Sequence, residues 1–165
     1  MVLDIRLCQE GKPLEFSYEL ALPELEFFGV RPFVDPVTVT GAVREKAGVI
    51  EFEAVVASEP LLECGRCAEL FRRRLDVPVS AILAESLEFP EESEDSGIVL
   101  AKDGYCDVDG IVVPALILEM DMRYLCREDC KGLCPQCGAR LNDSPCGCPE
   151  QAVDPRLSKL REYFE

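Results

Sequence analysis

Six of the chain's ten cysteines fall within the 23 residues from Cys126 to Cys148, and the chain contains no histidine. Glycine and proline separate these cysteines, and few large apolar side chains accompany them. A segment of this composition has too little apolar surface to order itself by forming a hydrophobic core. We therefore expect bonds to sulfur to hold its shape.

The absence of histidine excludes several classes of enzyme. Ser-His-Asp hydrolases, Cys-His nucleophile pairs and HExxH zinc proteases all need an imidazole. The first twelve residues lack the apolar stretch of a secretory signal, and the longest apolar run, residues 111–118, is too short to span a membrane. We expect a cytoplasmic protein with no membrane partner, whose thiols stay reduced and available to a metal.

The strongest metal-binding motif is CPQCG at residues 134–138, followed by Cys146-Gly147-Cys148. A two-residue gap lets both thiolates of a CxxC pair reach one Zn²⁺, which takes four ligands in a tetrahedron. Gly138 can adopt the positive φ that turns the following backbone toward a sulfur, as in rubredoxin-like knuckles. The spacing predicts a structural zinc site made of Cys134, Cys137, Cys146 and Cys148.

Four further cysteines form a candidate second site, for a total of one or two structural Zn²⁺ ions. Cys64 and Cys67 form another CxxC, and Cys126 and Cys130 are spaced as on one helical turn. The alternatives are exchange of Cys126 or Cys130 into the first site, a redox-active Cys64-Cys67 pair, and plain thiols. Cys8 and Cys106 stand alone in strand-like sequence, which predicts small core residues.

The first half of the chain has the period-two alternation of β-strands. Residues 37–43 and 50–56 flank the turn signal Lys46-Ala47-Gly48, which predicts a hairpin with one solvated face. Residues 61–62 lead into the first CxxC, and alternating apolar residues from Phe71 to Leu83 lead out of it. The CxxC is therefore predicted at a hairpin tip.

One helix is predicted at residues 111–122, with Pro114 in its first turn and apolar side chains almost all round. A short amphipathic helix is predicted after Asp154-Pro155. These elements indicate an α+β fold with an antiparallel β-rich core of hairpins or a partly open barrel, one packed helix, a small Cys-rich zinc knuckle and a short C-terminal helix. We place a core domain at residues 1–123 and a zinc-binding tail at 124–165.

The net charge of −15 argues against broad binding to nucleic acid, DNA included, because such binding comes from Lys and Arg displacing counterions from phosphates. A basic ribosomal protein suits this charge well. A local RNA contact rests on the run Arg72-Arg73-Arg74, although strand alternation would send Arg73 to the opposite side from its neighbours.

Several stretches resemble the YceD-like family of large ribosomal RNA subunit accumulation proteins. They are LECGRC at 62–67 with Phe71 after it, the segment 107–122, LCREDCKGLCPQCGARLN at 125–142, the closing CGC at 146–148 and DPRL at 154–157. The resemblance implies a bacterial cytoplasmic protein needed for accumulation of large-subunit (23S) ribosomal RNA. It supplies no catalytic residue.

Three hypotheses for function follow. The first is a non-enzymatic ribosome-biogenesis factor that binds a ribosomal protein or pre-ribosomal large-subunit RNA. The second is a thiol-disulfide oxidoreductase using Cys64 and Cys67, although both flanks of this pair read as strands rather than as the strand and helix of a thioredoxin-type site. The third is a zinc or redox sensor whose tail unfolds when oxidation releases the metal.

Overall fold

The computed structural model describes residues 1–8, 12–27, 29–85 and 97–149. Within them the chain forms nine strands, one α-helix and a 3-10 turn at Ile5–Leu7. The fold is α+β with mainly antiparallel sheets, as predicted. In chain order the elements are β1 (Val2–Asp4), β2 (Leu14–Leu20), β3 (Val37–Lys46), β4 (Val49–Ser58), β5 (Leu61–Glu63), β6 (Leu70–Arg72), β7 (Leu75–Ala84), β8 (Ile98–Leu100), β9 (Tyr105–Asp107) and α1 (Val108–Glu119).

A five-stranded sheet in the order β2-β3-β4-β7-β8 forms the body of the molecule. Its pairs are antiparallel except β7–β8, which is parallel. The predicted hairpin is β3–β4, in which Lys46 pairs with Val49. Ala47 and Gly48 between them have φ of 53° and 81°, and two positive φ values are the feature of a type I′ turn, whose twist matches the strands.

The hydrophobic core lies between one face of this sheet and helix α1, which packs against β7, β4 and β1. Alternate strand residues such as Val39, Phe52 and Val56 are fully buried there. Val108, Val112 and Leu116 supply the helix side, at the four-residue spacing that aligns side chains on one face. The opposite sheet face carries mainly polar side chains, with Val55 and Ile82 exposed among them, so the period-two alternation of the sequence corresponds to a buried and a solvent-facing side of the sheet.

The helix begins and ends three residues earlier than predicted. Val108 is its first residue because Asp107 still has extended φ and ψ and continues from β9. Pro114 is therefore the seventh helical residue and not part of the first turn, so the prediction of a tolerated N-terminal position was wrong. Pro114 has no N–H for the carbonyl oxygen of Gly110, and burial of the apolar face on the sheet offsets that loss.

The alternating run from Phe71 to Leu83 is two strands, not one as predicted. Leu70–Arg72 pairs with Leu61–Glu63 in a separate two-stranded ribbon, whereas Leu75–Ala84 joins the large sheet. Arg73 and Arg74 form the crossing between them, where the Arg74 guanidinium hydrogen-bonds Asp76 at 2.9 Å. The alternation of apolar residues does not reveal that the two strands pair with different partners, because both strands have the same period of two.

The predicted C-terminal helix after Asp154-Pro155 lies outside the described residues, and the division at residues 123 and 124 stays a prediction. No helix in the described part of the chain has the length and apolar character needed to cross a membrane.

Candidate metal centres

The thiols of Cys64, Cys67, Cys126 and Cys130 form the first cluster, with all four sulfur atoms within 4.8 Å of one another. The Sγ atoms of Cys64 and Cys130 are 3.7 Å apart, as are those of Cys67 and Cys126. A regular tetrahedron of Zn–S bonds near ~2.3 Å has sulfur separations of about 3.8 Å. The cluster therefore has the dimensions of a tetrathiolate metal site.

The ribbon of β5 and β6 positions the first CxxC at its tip, as predicted. The N–H of Ala68 donates to the carbonyl oxygen of Cys64 at 2.9 Å, and the N–H of Cys64 donates to that of Glu69 at 2.9 Å. Ala68 takes a φ of 54° to close this knuckle. The segment after α1 is tied to it by the N–H of Gly65, which donates to the carbonyl oxygen of Tyr124 at 2.8 Å.

Cys126 and Cys130 approach from this tied segment. A turn joins them, with the N–H of Cys130 donating to the carbonyl oxygen of Arg127 at 3.2 Å. The helical turn suggested by their spacing is absent from this part of the described chain. The two thiols nevertheless reach the same point, because a turn brings its ends together as a helical turn does.

The thiols of Cys134, Cys137, Cys146 and Cys148 form the second cluster, also within 4.8 Å of one another. Its knuckle repeats the hydrogen bonds of the first. The N–H of Gly138 donates to the carbonyl oxygen of Cys134 at 2.9 Å, and the N–H of Cys134 donates to that of Ala139 at 2.8 Å. Gly138 has the predicted positive φ, 72°, and stands where Ala68 stands in the first knuckle.

The two clusters differ in burial. Cys64, Cys67 and Cys130 are at most 4% exposed and pack with Phe71 and Leu125 as a small apolar cluster of their own. In the second cluster Cys134 is buried, Cys146 and Cys148 are half-buried and Cys137 is exposed. The first cluster therefore also contributes to the packing of the fold, while the second stands closer to solvent.

Backbone donors make one thiol of each cluster much more acidic than usual. Burial raises the pKa of Cys64, but N–H groups of Cys126, Arg66 and Cys67 point to its sulfur, outweigh burial and lower the pKa to about 6. The N–H groups of Cys137 and Gln136 lower the pKa of Cys134 to about 6 in the same way. These two sulfurs are ready to bind a cation at neutral pH.

Two other thiols have raised pKa values. Burial and the neighbouring sulfurs of Cys64, Cys67 and Cys130 raise the pKa of Cys126 to about 12. Hydrogen bonding with Cys137 is the main cause that raises the pKa of Cys148 to about 12. Without a cation, neighbouring thiolates repel one another, so such a cluster retains protons that a metal ion would displace.

The donor that joins the two clusters is Asn142, which sequence reasoning missed. Its Nδ2 donates to the Cys130 sulfur at 3.2 Å, and its Oδ1 accepts from the N–H of Lys131 at 2.8 Å. The nearby Arg66 donates not to a sulfur but to the carbonyl oxygen of Cys130, at 2.9 Å. Only the position of Asn142 between two cysteine pairs signalled its role.

Cys8 and Cys106 lie outside both clusters and are buried, as predicted. The Cys8 thiol donates to the carbonyl oxygen of Val43 at 3.5 Å. Burial raises the pKa of the Cys106 thiol to about 11. Both behave as small core residues. The structure thus brings the eight candidate ligands together in the two predicted sets, while their binding of an ion stays a prediction.

Comparison with known proteins places these clusters in context. A protein of Mycobacterium tuberculosis described as uncharacterized is 34% identical over 110 residues, which cover 66% of this chain and 53% of that protein. The maize protein "Large ribosomal RNA subunit accumulation protein YCED homolog 1, chloroplastic" is 30% identical over 175 residues, which cover 88% of this chain and 59% of the relative. Its Arabidopsis thaliana namesake is 26% identical over 162 residues, covering 79% and 50%.

The chain spans about half the length of the curated relatives it matches. No solved structure matches it. The sequence model of the family described as "Large ribosomal RNA subunit accumulation protein YceD" matches residues 52–162, a stretch that includes both thiol clusters. Because this match extends over more than half of the chain, the chain belongs to the YceD family.

Proposed function

We propose that this chain supports the accumulation of large-subunit ribosomal RNA as a non-enzymatic ribosome-biogenesis factor. The observation that carries the proposal is the family match over residues 52–162, together with maize and Arabidopsis relatives named for this role. Its partner in this role is a ribosomal protein or the pre-ribosomal RNA itself. A net charge of −15 suits encounter with a basic protein, and the local basic residues suit RNA.

In this proposal each cluster holds one structural Zn²⁺. Thiolate sulfur is a soft ligand suited to Zn²⁺, and the 3.7 Å sulfur separations fit its tetrahedral bonds. Four protein thiolates fill the coordination sphere and leave no position for water, so the metal would serve structure rather than hydrolysis. The cysteine-rich segment would then owe its order to metal bonds and work in a reducing compartment such as the cytoplasm.

The geometry supports binding over thiol-disulfide exchange. The first CxxC sits at the tip of a two-stranded ribbon, so no helix begins after Cys64 to lower its pKa by a dipole. Its two sulfurs point to Cys130 and Cys126 rather than to solvent. A redox-active pair needs one exposed sulfur that a substrate disulfide can reach.

Two measurements test the proposed function. Metal analysis of protein purified under reducing conditions should find two zinc ions per chain, falling to about one in Cys64→Ser or Cys134→Ser. Deletion of the gene in its source organism should lower the ratio of large- to small-subunit ribosomal RNA, and the intact gene should restore it. Robust insulin reduction by the purified chain, or an unchanged RNA ratio, would overturn the proposal.

A further inference from the structure

Basic residues concentrate around the thiol clusters of this acidic chain. Residues 61–74 and 123–149 hold eight of the 17 basic residues but only five of the 32 acidic ones. Their formal charge is +3 before metal binding and about −1 with both clusters loaded, since each loaded cluster adds about −2, while the rest of the chain carries −18. The molecule is therefore strongly polarised, and an anionic partner would approach from the clusters and not from the central sheet.

A groove of about 450 Å³ opens where the ribbon of β5 and β6 meets the segment after α1. Phe71 and Leu125 contribute apolar surface to its lining. Its charged lining consists of four arginines and one glutamate: Arg72, Arg73, Arg123, Arg127 and Glu128. A loaded first cluster would add about −2 beside Cys126, which leaves the lining near +1, and all four arginines are exposed.

The guanidinium charges in this groove are only partly neutralised. Arg72 is paired with Asp35 at 2.6 Å, but Arg127 lies 3.6 Å from an exposed Asp129, a weak pair in water. Arg123 donates to the carbonyl oxygen of Gly65 at 2.9 Å and keeps its charge. The Arg73 side chain is exposed and makes no ion pair or hydrogen bond within the described residues. These arginines thus retain donors for an outside anion.

Arginine forks match the oxygen geometry of phosphate and can bind it in bidentate fashion. Several such groups along one groove match a polymer that repeats its phosphates, while the −18 of the remaining surface keeps that polymer from other faces. We propose that this groove is the surface by which the chain binds the phosphate backbone of large-subunit ribosomal RNA. The inference rests on the proposed function and names its partner.

The test compares two charge-matched double variants of the full, zinc-loaded chain. Arg73→Gln with Arg127→Gln alters the groove, and Arg44→Gln with Lys46→Gln removes the same charge from β3. The probe is large-subunit ribosomal RNA transcribed in vitro from the source organism, measured by filter binding across a salt series. Zinc content and circular dichroism confirm that each variant is folded.

We expect the groove variant to bind roughly tenfold more weakly and the slope of log K against log salt to fall by about 1.4 to 1.8, for two lost phosphate contacts. The β3 variant should bind within about twofold of the unaltered chain. Arg73→Lys should retain most of the affinity, since a point charge still attracts phosphate. Equal weakening in both double variants would overturn the assignment by showing that only net charge matters.

Two further outcomes would also overturn it. Displacement of the RNA by polyglutamate at equal charge concentration would show a groove for acidic chains in general. Absence of RNA binding, with large-subunit proteins still enriched from nuclease-treated lysate, would reject the groove and leave the proposed function standing through a protein partner. Absence of both, with an unchanged RNA ratio on gene deletion, would reject the proposed function itself.

Discussion

Replacing Gly138 by alanine tests whether backbone conformation at the knuckle stabilises the metal-binding fold. Gly138 has a φ of 72°, and a Cβ built on it meets no atom within 4 Å. The cost of the methyl group is therefore conformational and not steric. A left-handed conformation costs a non-glycine residue about 1–2 kcal/mol, and alanine recovers roughly 0.5–1 kcal/mol from its stiffer unfolded chain. We expect Gly138→Ala to destabilise by about 0.5–1 kcal/mol.

The first knuckle offers the reverse substitution. Ala68 holds a φ of 54° at the equivalent position and its side chain is exposed, so removing its methyl group loses no burial. Ala68→Gly should therefore stabilise the chain by about the same 0.5–1 kcal/mol. Gly147 is the matched control, because a Cβ there also meets nothing within 4 Å and its φ lies outside the left-handed range. Gly147→Ala should be neutral or slightly stabilising.

The assay is denaturant unfolding of the zinc-loaded chain at fixed free zinc, with each variant compared by its midpoint at constant slope. A change of about 1 kcal/mol corresponds to roughly a fivefold change in the unfolding equilibrium. Opposite signs for Gly138→Ala and Ala68→Gly would support the reasoning. Equal effects of Gly138→Ala and Gly147→Ala would refute it, since neither added Cβ meets an atom and only Gly138 has a positive φ.

Three further predictions concern the clusters and the core. Asn142→Leu should speed zinc transfer from the first cluster to a chromogenic chelator several-fold, because the Cys130 sulfur loses the hydrogen-bond donor that lies 3.2 Å from it. Equal transfer rates in the variant and the unaltered chain would show that Asn142 has no part in holding the ion. Zinc loading at pH 7.5 should release fewer than four protons per ion, because Cys64 and Cys134, with pKa values lowered to about 6, are already thiolates. The affinity for zinc should fall more steeply as the pH drops below about 6, where these two sulfurs regain protons. Calorimetry in buffers of different ionisation enthalpy measures both the proton release and the affinity. Leu116→Ala should lower the free energy of chemical unfolding by about 2–4 kcal/mol, because this side chain is only 1% exposed. Leu118 is 85% exposed, so Leu118→Ala should leave the free energy of unfolding almost unchanged. Similar decreases in both variants would contradict the observed orientation of the helix.

Local patterns in the sequence were enough to predict the hairpin of β3 and β4, the knuckle at residues 134–138 and the buried Cys8 and Cys106. In the hairpin and the knuckle the controlling interactions are between near neighbours, such as the turn at Ala47 and Gly48 or the hydrogen bond from Gly138 to Cys134. The same reasoning grouped the thiols as the structure does, because a CxxC pair restricts two ligands at once.

Long-range interactions determine the features that the sequence analysis did not predict. The start of α1 depends on Val108 being buried against the sheet, which no local signal near Pro114 encodes. The break at Arg73 and Arg74 depends on Leu75 finding Ser58 of β4 as its partner. Asn142 can donate a hydrogen bond to the Cys130 sulfur only because the second knuckle folds back onto Cys130.

This arrangement implies that the first cluster depends on the second more than the second depends on the first. The first cluster is buried and joins two parts of the chain far apart in sequence, the ribbon and the segment after α1. The second cluster is local in sequence, and its fold presents Asn142 to the Cys130 sulfur and Leu141 to the carbonyl oxygen of Gly132, at 3.0 Å. Loss of the ion from the second cluster would therefore free the donor of the first, whereas the ribbon and its knuckle hydrogen bonds would keep the first cluster assembled. We expect Cys134→Ser to weaken zinc binding at the first cluster, and Cys64→Ser to leave the affinity of the second nearly unchanged. Competition with a chromogenic chelator measures the affinity of the remaining cluster in each variant, and equal weakening in both would contradict this direction.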